Sequence, residues 1–493
     1  MFRDAHFHFK TLASQGSIVV LAVVLVFTTS SSSQPQRAQE TPPAITYPPQ
    51  LSADLKNLQE AGLASDYAYR QLAHLTDSIG PRLSGSPQAA AAVEYLAKEM
   101  RRLGLEVKLE KLSVPHWVRG EETAALVRYP GQAEGTTQKI ILTALGGSVA
   151  TPAAGLNAEV VVVNNFDELK ALGRDKVAGK IVLFNAHFDR QMAAQGFGGE
   201  AYGQAVAYRG GGASAAARFG AIAALNRSAG GAEFRLPHTG ALRYADDAPK
   251  IPAASVTAED GDLIARLAAR GTVRMQLLLT PKQLPDAESY NVIADLKGSE
   301  HPEQIIIVSG HLDSWDLGTG AIDDGAGVVI AMQAVQLMKQ LHLRPKRTIR
   351  FIAWMNEENG VVGGRTYAKD YEADIANHFA AIESDRGAGH PLGFEVKAKP
   401  EVLPLLGPMA VILQSSGAGL LKLTTGTETD IGPLGTAGVP SFGLWQDTRS
   451  YFDFHHTAAD TLDKVVPREL AENCAAMSVL AYTLANLPQP LPR

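Results

Sequence analysis

Three apolar runs in the C-terminal half are each followed at once by acid or imidazole. Residues 304–309 lead into His311 and Asp313, residues 348–355 into Glu357 and Glu358, and residues 378–384 into Asp385. Short runs rich in Ile, Val and Phe, with no polar alternation, read as strands buried on both faces. Helical patterns separate them, over 325–341 and 363–370, and 439–444 reads as another strand. Strands alternating with helices predict an α/β fold, a mostly parallel mixed sheet with helices on both faces. Ligands of such sheets bind beyond the carboxyl ends of the strands. That rim receives His311, Asp313, Glu357, Glu358 and Asp385, with Asp323 and Asp324 just before a helix and His456 in the distant segment 452–463.

The remainder of the 493 residues divides into recognisable parts. In residues 1–43, Arg3 and Lys10 precede the apolar run 18–27, and a Ser/Gln/Pro-rich stretch follows. Ten apolar residues fall short of the roughly 20 a bilayer span needs. A basic start, a short apolar core and a polar exit describe a secretory signal and linker, although no A-x-A cleavage motif follows. An uncleaved anchor is the lesser reading. No other segment is apolar enough to cross a membrane, so a mature chain outside the cytoplasm is expected. Residues 44–118 form a first part of the main domain. Ser65 caps a helix over 66–75. Ser86 and Pro87 start another that runs to Leu103 and stops at Gly104, and 105–112 alternates like a strand. Residues 119–281 read as a separate β-rich module with short strands at 140–145, 160–163 and 180–184. Within it, Gly210 to Gly212 read as a turn opening an Ala-rich helix through Leu225. Residues 260–270 form a further helix, and the sequon at Asn226 falls on the Ala-rich one. Residues 282–493 complete the main domain and carry the polar rim.

Composition removes several classes of function. A net charge of −6 leaves no basic footprint for nucleic acid. The lone Cys474 allows neither an intrachain disulfide nor a thiolate metal cluster, and its apolar surroundings make it a core residue. No G-x-S-x-G elbow is present for a serine hydrolase, and the glycine triplet lacks the GK[ST] of a phosphate loop.

A metal in this chain is therefore held by His, Asp and Glu. Zinc takes imidazole nitrogen and carboxylate oxygen and prefers about four ligands. Two metals about 3.5–4 Å apart need a bridge, which a carboxylate supplies with its two oxygens. A carboxylate off the metal must then take the proton of the water. The adjacent Glu357 and Glu358 suit that division, one reaching metal and the other water. Any one of these acids alone would read as a helix cap or a solvated group. Adjacent buried glutamates, however, repel unless an ion or base compensates them.

The strings SGHLDSWDLGTGAIDDGAG, FIAWMNEENGVVGG, ESDRGAG and FHHTAADT resemble the M28 family of zinc peptidases. IGPRLSGSPQ and GVPSFGLWQD extend the resemblance over residues 47–490. It implies two zinc ions per chain. His311, Asp323 and Asp385 bind one, and Asp323, Glu358 and His456 bind the other, with Asp323 as the bridge. Glu357 is the implied general base, Asp313 orients the His311 ring, and Asp324 caps a helix. The family pattern, a ligand directly before Thr or Ser with Asp four residues on, selects His456 over His455. His455 then faces substrate or packs, and Asp430 lines the pocket or shapes a turn. The resemblance further implies that 119–281 is an inserted protease-associated domain over the cleft, that the substrate is a small peptide, and that the chain forms a homodimer. Carboxypeptidase or dipeptidase action is favoured. Aminopeptidase action is the alternative, followed by a single-zinc glutaminyl cyclase and a non-catalytic receptor-like protein.

Overall fold

The C-terminal runs form the middle of an eight-stranded sheet in a computed structural model that describes residues 45–426 and 428–493. The expected signal and linker lie outside these residues. The strands are β1 (Glu106–Val118), β2 (Lys282–Leu296), β3 (His301–His311), β4 (Arg347–Trp354), β5 (His378–Glu383), β6 (Pro391–Lys397), β7 (Leu420–Leu423) and β8 (Ser441–Gln446). The main helices are α1 (Pro87–Arg102), α2 (Gly198–Arg218), α3 (Ala326–Gln340) and α4 (Pro467–Asn486). Strand order is β1-β2-β4-β3-β5-β8-β6-β7. Pairs β4/β3, β3/β5, β5/β8 and β6/β7 are parallel, and β1/β2, β2/β4 and β6/β8 are antiparallel. The sheet is thus mixed, with a parallel centre.

Period-two geometry explains why the central runs look uniformly apolar. In β3, Ile306 and Val308 enter one core, while Ile305 and Ile307 enter another on the opposite face. In β4, Ile349, Phe351 and Ala353 join the first core, and Ile352 and Trp354 the second. Helices α3 and α4 cover the first face, where Cys474 lies fully buried. Helix Val362–Asp370 supplies Tyr367 to the second. Each buried Ile or Val contributes about 1.5–3 kcal/mol of transfer free energy, which holds both faces of the rim strands rigid. The helical segment Ala321–Gln340, which includes α3, is long and apolar enough to span a bilayer but lies almost wholly inside the protein.

Several local signals act as expected. The Ser86 Oγ accepts from the Ala89 amide at 3.1 Å, and α1 begins at Pro87. The helix expected over 66–75 occupies Tyr67–Ala73 and continues as a wider turn over His74–Ile79. Residues 105–112 form part of the longer β1, whose far half pairs with β2.

A second eight-stranded sheet is built from residues between Glu122 and Leu279. The expected strand over 140–145 is instead two, Gln138–Ile140 and Leu142–Ala144, and they lie at opposite edges of this sheet. The glycine triplet does not open a helix; it lies inside α2, which ends at Arg218, and Ala223–Arg227 is a strand. Close packing accounts for this, since a Cβ on Gly212 would stand 2.9 Å from the Phe184 ring. Asn226 accordingly sits on a buried strand, where its Oδ1 accepts from the Ser255 hydroxyl at 3.0 Å.

Candidate metal centre

Each rim residue is delivered by the end of an element. His311 is the last residue of β3, and Asp313 follows it. Asn356, Glu357 and Glu358 follow β4, Asp385 lies two residues beyond β5, and Asp323 and Asp324 precede α3 across a cis peptide. His456 sits at positive φ after the short helix Tyr451–Phe454.

These distant segments converge. His311 Nε2 is 3.2 Å from Asp323 Oδ1 and 3.2 Å from Asp385 Oδ1. His456 Nε2 is 3.1 Å from Asp323 Oδ2 and 3.0 Å from Glu358 Oε2. In each trio the candidate ligand atoms lie within 4.8 Å of one another. Asp323 belongs to both trios and offers one oxygen to each. Asp323 Oδ2 and Glu358 Oε1 are buried without a hydrogen bond. Buried carboxylate oxygens are costly unless paired, so the donor set fits divalent cations with imidazole and carboxylate ligands.

The electrostatics describe a site short of positive charge. Burial opposes charge on His311, yet the Asp385 and Asp323 carboxylates outweigh it and hold the imidazole well above its usual range. His456 is raised in the same way, by Glu358 and Asp323 against burial. Burial would lift Asp323, but His455, His311 and His456 pull it well below the ordinary carboxylate range. Glu357 is pushed well above its usual value by burial, with Glu358, Asp385 and Asp313 adding to the effect and His311 opposing it. Burial also raises Glu358, opposed by His456 and reinforced by Asp323.

The surroundings hold these groups in place. Asp313 meets the His311 ring through its backbone carbonyl, not its carboxylate. The Nδ1 of His311 faces the Asp313 carbonyl oxygen at 3.0 Å, while the carboxylate stands 3.9 Å away. That carboxylate is already committed. It accepts from the Asn356 and Glu357 amides at 2.7 and 3.0 Å and from the Ser84 hydroxyl at 3.0 Å, and so fixes the backbone that carries Glu357 and Glu358. Asp324 accepts from the Gly327 amide in the first turn of α3 and from the His311 amide, both at 2.9 Å. The Trp315 indole donates to Glu358 at 2.6 Å.

His455 and Asp430 have different surroundings. His455 both packs and lines the cavity: its ring stacks on His456 at 3.7 Å, and its Nε2 is 3.3 Å from Asp323 Oδ2. Asp430 is fully buried outside the cavity lining, with neither carboxylate oxygen bonded. Burial, then Glu383 and Glu357, push it well above its ordinary range.

Three residues that spacing did not single out belong to the site. Arg82, in the GPR of IGPRLSGSPQ, is wholly buried and donates to the carbonyls of Leu312, Thr319 and Gly320 at 2.7 Å each. It thereby staples the loop between His311 and Asp323. His238, from the region of the second sheet, meets His455 Nδ1 at 3.2 Å. Arg209 on α2 meets His456. Only the Arg82 string carried a sequence signal. The other two are polar residues in an Ala/Gly-rich stretch more than 200 positions from their partners.

The profile of peptidase family M28 matches residues 291–481. The chain is 38% identical over 457 residues to carboxypeptidase Q of Bos taurus, covering 92% of this chain and 93% of that one. It is 41% identical over 447 residues to carboxypeptidase Q of Xenopus laevis, covering 90% and 91%. The crystal structure of an M28 peptidase precursor from Shewanella amazonensis superposes with a TM-score of 0.84 at 36% identity, covering 90% of this chain and 99% of that chain. A zinc aminopeptidase from Bacillus subtilis shares the fold, with a TM-score of 0.62 at 22% identity and coverage of 84% and 94%.

Proposed function

The chain belongs to peptidase family M28 and is a zinc metallopeptidase, and from that premise we propose a di-zinc exopeptidase that acts on dipeptides and short peptides outside the cytoplasm. One observation carries the reading. A single buried carboxylate, Asp323, is shared by two separate trios of zinc-type ligands. His311, Asp323 and Asp385 would hold one ion, and Asp323, Glu358 and His456 the other. Bound there, the ions supply Lewis acidity toward the scissile carbonyl and a water acidic enough to attack at neutral pH.

The chain's own residues do the remaining work. Glu357 lines the cavity, and its carboxylate makes no hydrogen bond among the described residues. It accepts the proton lost by the attacking water as the C–O bond forms. It returns that proton to the amine nitrogen as the C–N bond breaks. Asp313 positions it by holding its backbone amide. Residues 119–281 act as a protease-associated module, a reading supported by Gly146, Tyr202 and Arg209 contributing to the cavity wall. The extracytoplasmic location rests on the signal-like residues 1–43.

The carboxypeptidase or dipeptidase direction is supported by the carboxypeptidase Q relatives. An aminopeptidase is the second reading, favoured by the aminopeptidase YwaD of Bacillus subtilis at 24% identity over 446 residues. The complete ligand set argues against a single-zinc cyclase and a non-catalytic homologue. The test combines zinc content with kinetics of Glu357→Gln. Two zinc ions retained and kcat lowered by about 10²-fold or more are expected for a missing general base. Near-normal turnover sinks that role, and one zinc per active chain sinks the di-zinc centre.

A further inference from the structure

The two ligand trios of the metal centre are supported from different sides. His311 and Asp385 follow from β3 and β5, and the Nδ1 of His311 faces the Asp313 carbonyl at 3.0 Å, all within the first sheet and its loops. Glu358 and His456, which complete the other trio with Asp323, lean on the second sheet instead. The Thr239 amide donates to the His456 carbonyl at 2.9 Å, and the Thr239 carbonyl faces the His456 Nδ1 at 3.3 Å. Glu358 is reached through Trp315.

Trp315 belongs by sequence to the loop between His311 and Asp323, yet its side chain is buried in the apolar core of the second sheet. A Cβ on Gly146 would stand 2.0 Å from the indole ring, so only glycine admits it. Gly146 is pinned in place, because its amide donates to the Gly240 carbonyl and its carbonyl accepts from the Leu242 amide, both at 3.0 Å. The adjacent Asp316 is gripped as well. The Arg119 guanidinium donates to its two oxygens at 2.9 and 2.5 Å and to the Ala144 carbonyl at 2.6 Å. From this seat the indole N–H donates to Glu358 Oε2 at 2.6 Å, and the ring meets the His456 imidazole edge-on with centroids 5.8 Å apart. Packing alone does not require a carboxylate partner. A buried indole N–H needs only some acceptor, and Trp117 in the same core uses the Ser148 carbonyl at 3.1 Å.

We propose that Trp315 is a positioning residue that ties occupancy of the ion held by Asp323, Glu358 and His456 to the packing of residues 119–281, an assignment that rests on the di-zinc reading above. Groups that hydrogen-bond a metal ligand fix its orientation and tune the affinity of the site. The indole does this for Glu358 and braces His456, the two ligands that belong to that ion alone. It makes no hydrogen bond or ring contact with His311 or Asp385 among the described residues. The second sheet thereby controls one metal position and leaves the other to the first sheet.

The experiment titrates zinc into metal-free protein against a chromophoric chelator, in two backgrounds that each leave one position. Asp385→Ala keeps the position of Glu358 and His456, and His456→Ala keeps that of His311 and Asp385. Trp315→Phe retains a ring and removes the N–H. It is expected to weaken zinc by about 10–100-fold in the Asp385→Ala background, as for loss of a group that orients a metal ligand. In the His456→Ala background the same change should leave affinity within about twofold, as for independent sites. Gly146→Ala, which keeps the N–H but crowds the ring from the side of the second sheet, should show the same split. Equal weakening in both backgrounds assigns Trp315 to general packing and overturns the proposal, as does unchanged affinity in both. If Trp315→Phe does not fold without metal, Gly146→Ala decides by the same comparison. Wild type that is fully active with a single zinc overturns the di-zinc reading itself, whatever the variants do.

Discussion

Replacing Arg82 with Met is expected to destabilise the fold and loosen the metal centre together. The guanidinium is fully buried and makes three 2.7 Å bonds to carbonyls of the loop that joins His311 to Asp323. Its charge also faces Asp460, Asp313, Asp324 and Asp323, although burial dominates and lowers its proton affinity. Hydrogen bonds to a charged group contribute about 1.5–3 kcal/mol each, so three set an upper bound of roughly 5–9 kcal/mol. Methionine removes the cost of burying a cation, which is several kcal/mol. The difference leaves a net loss of roughly 3–5 kcal/mol, the size found when one partner of a buried charged pair is deleted. Denaturant midpoints of the zinc-free variant and wild type measure that loss, and zinc titration measures the second effect. Zinc affinity should fall by about 10–100-fold, as it does when groups that orient metal ligands are removed. Arg82→Lys should recover part of the stability, because an ammonium cannot reach three carbonyls in one plane. A midpoint within about 0.5 kcal/mol of wild type, with zinc affinity unchanged, would refute the stapling argument.

Other outcomes follow from the same contacts. His378 accepts from the Tyr367 hydroxyl at 2.8 Å through Nε2 and faces the Asp374 carbonyl at 3.1 Å through Nδ1, so it is neutral; burial lowers its pKa from 6.5 to about 4. Because the unfolded chain takes up this proton first, the stability of neutral His378 is complete above pH 6.5. It is lost as the pH falls toward 4, by about 3 kcal/mol. Unfolding of His378→Gln against pH should lack that portion of the slope, and parallel curves would show that His378 does not titrate as described. Asp313→Ala should lower kcat by about 10-fold or more while the fold persists, since the amides of Asn356 and Glu357 lose their acceptor; an unchanged kcat contradicts the positioning role. Chelation should lower the thermal midpoint, because saturating zinc at about 1,000 times its Kd adds roughly 4 kcal/mol. Calorimetry with and without chelator checks this.

Much of the active rim was legible in order along the chain. Apolar runs of strand length, each ending in His, Asp or Glu, place those residues at the carboxyl ends of strands, since a strand's end is a local property. The structure brings His311, Asp323, Glu358, Asp385 and His456 together as the family strings imply. Local capping was also legible at Ser86. What spacing missed depends on neighbours far away. The glycine triplet reads as a turn until Phe184 is packed against it. The segments on either side of Ile141 read as one strand until the second sheet takes them to opposite edges. Asp313 meets the His311 ring through its carbonyl, while its carboxylate is taken by three donors that only the fold brings near.

The sequence by itself determined the strand–helix alternation, the polar rim and the chemical type of the ligands, because side-chain periodicity and donor chemistry are carried by each short segment. Only the tertiary structure decided that Arg82 braces the loop from His311 to Asp323, that His238 meets His455, and that Arg209 meets His456. Those contacts join residues more than 200 positions apart. They are chosen by burial and hydrogen-bond satisfaction across the whole fold, for which no local spacing can stand in.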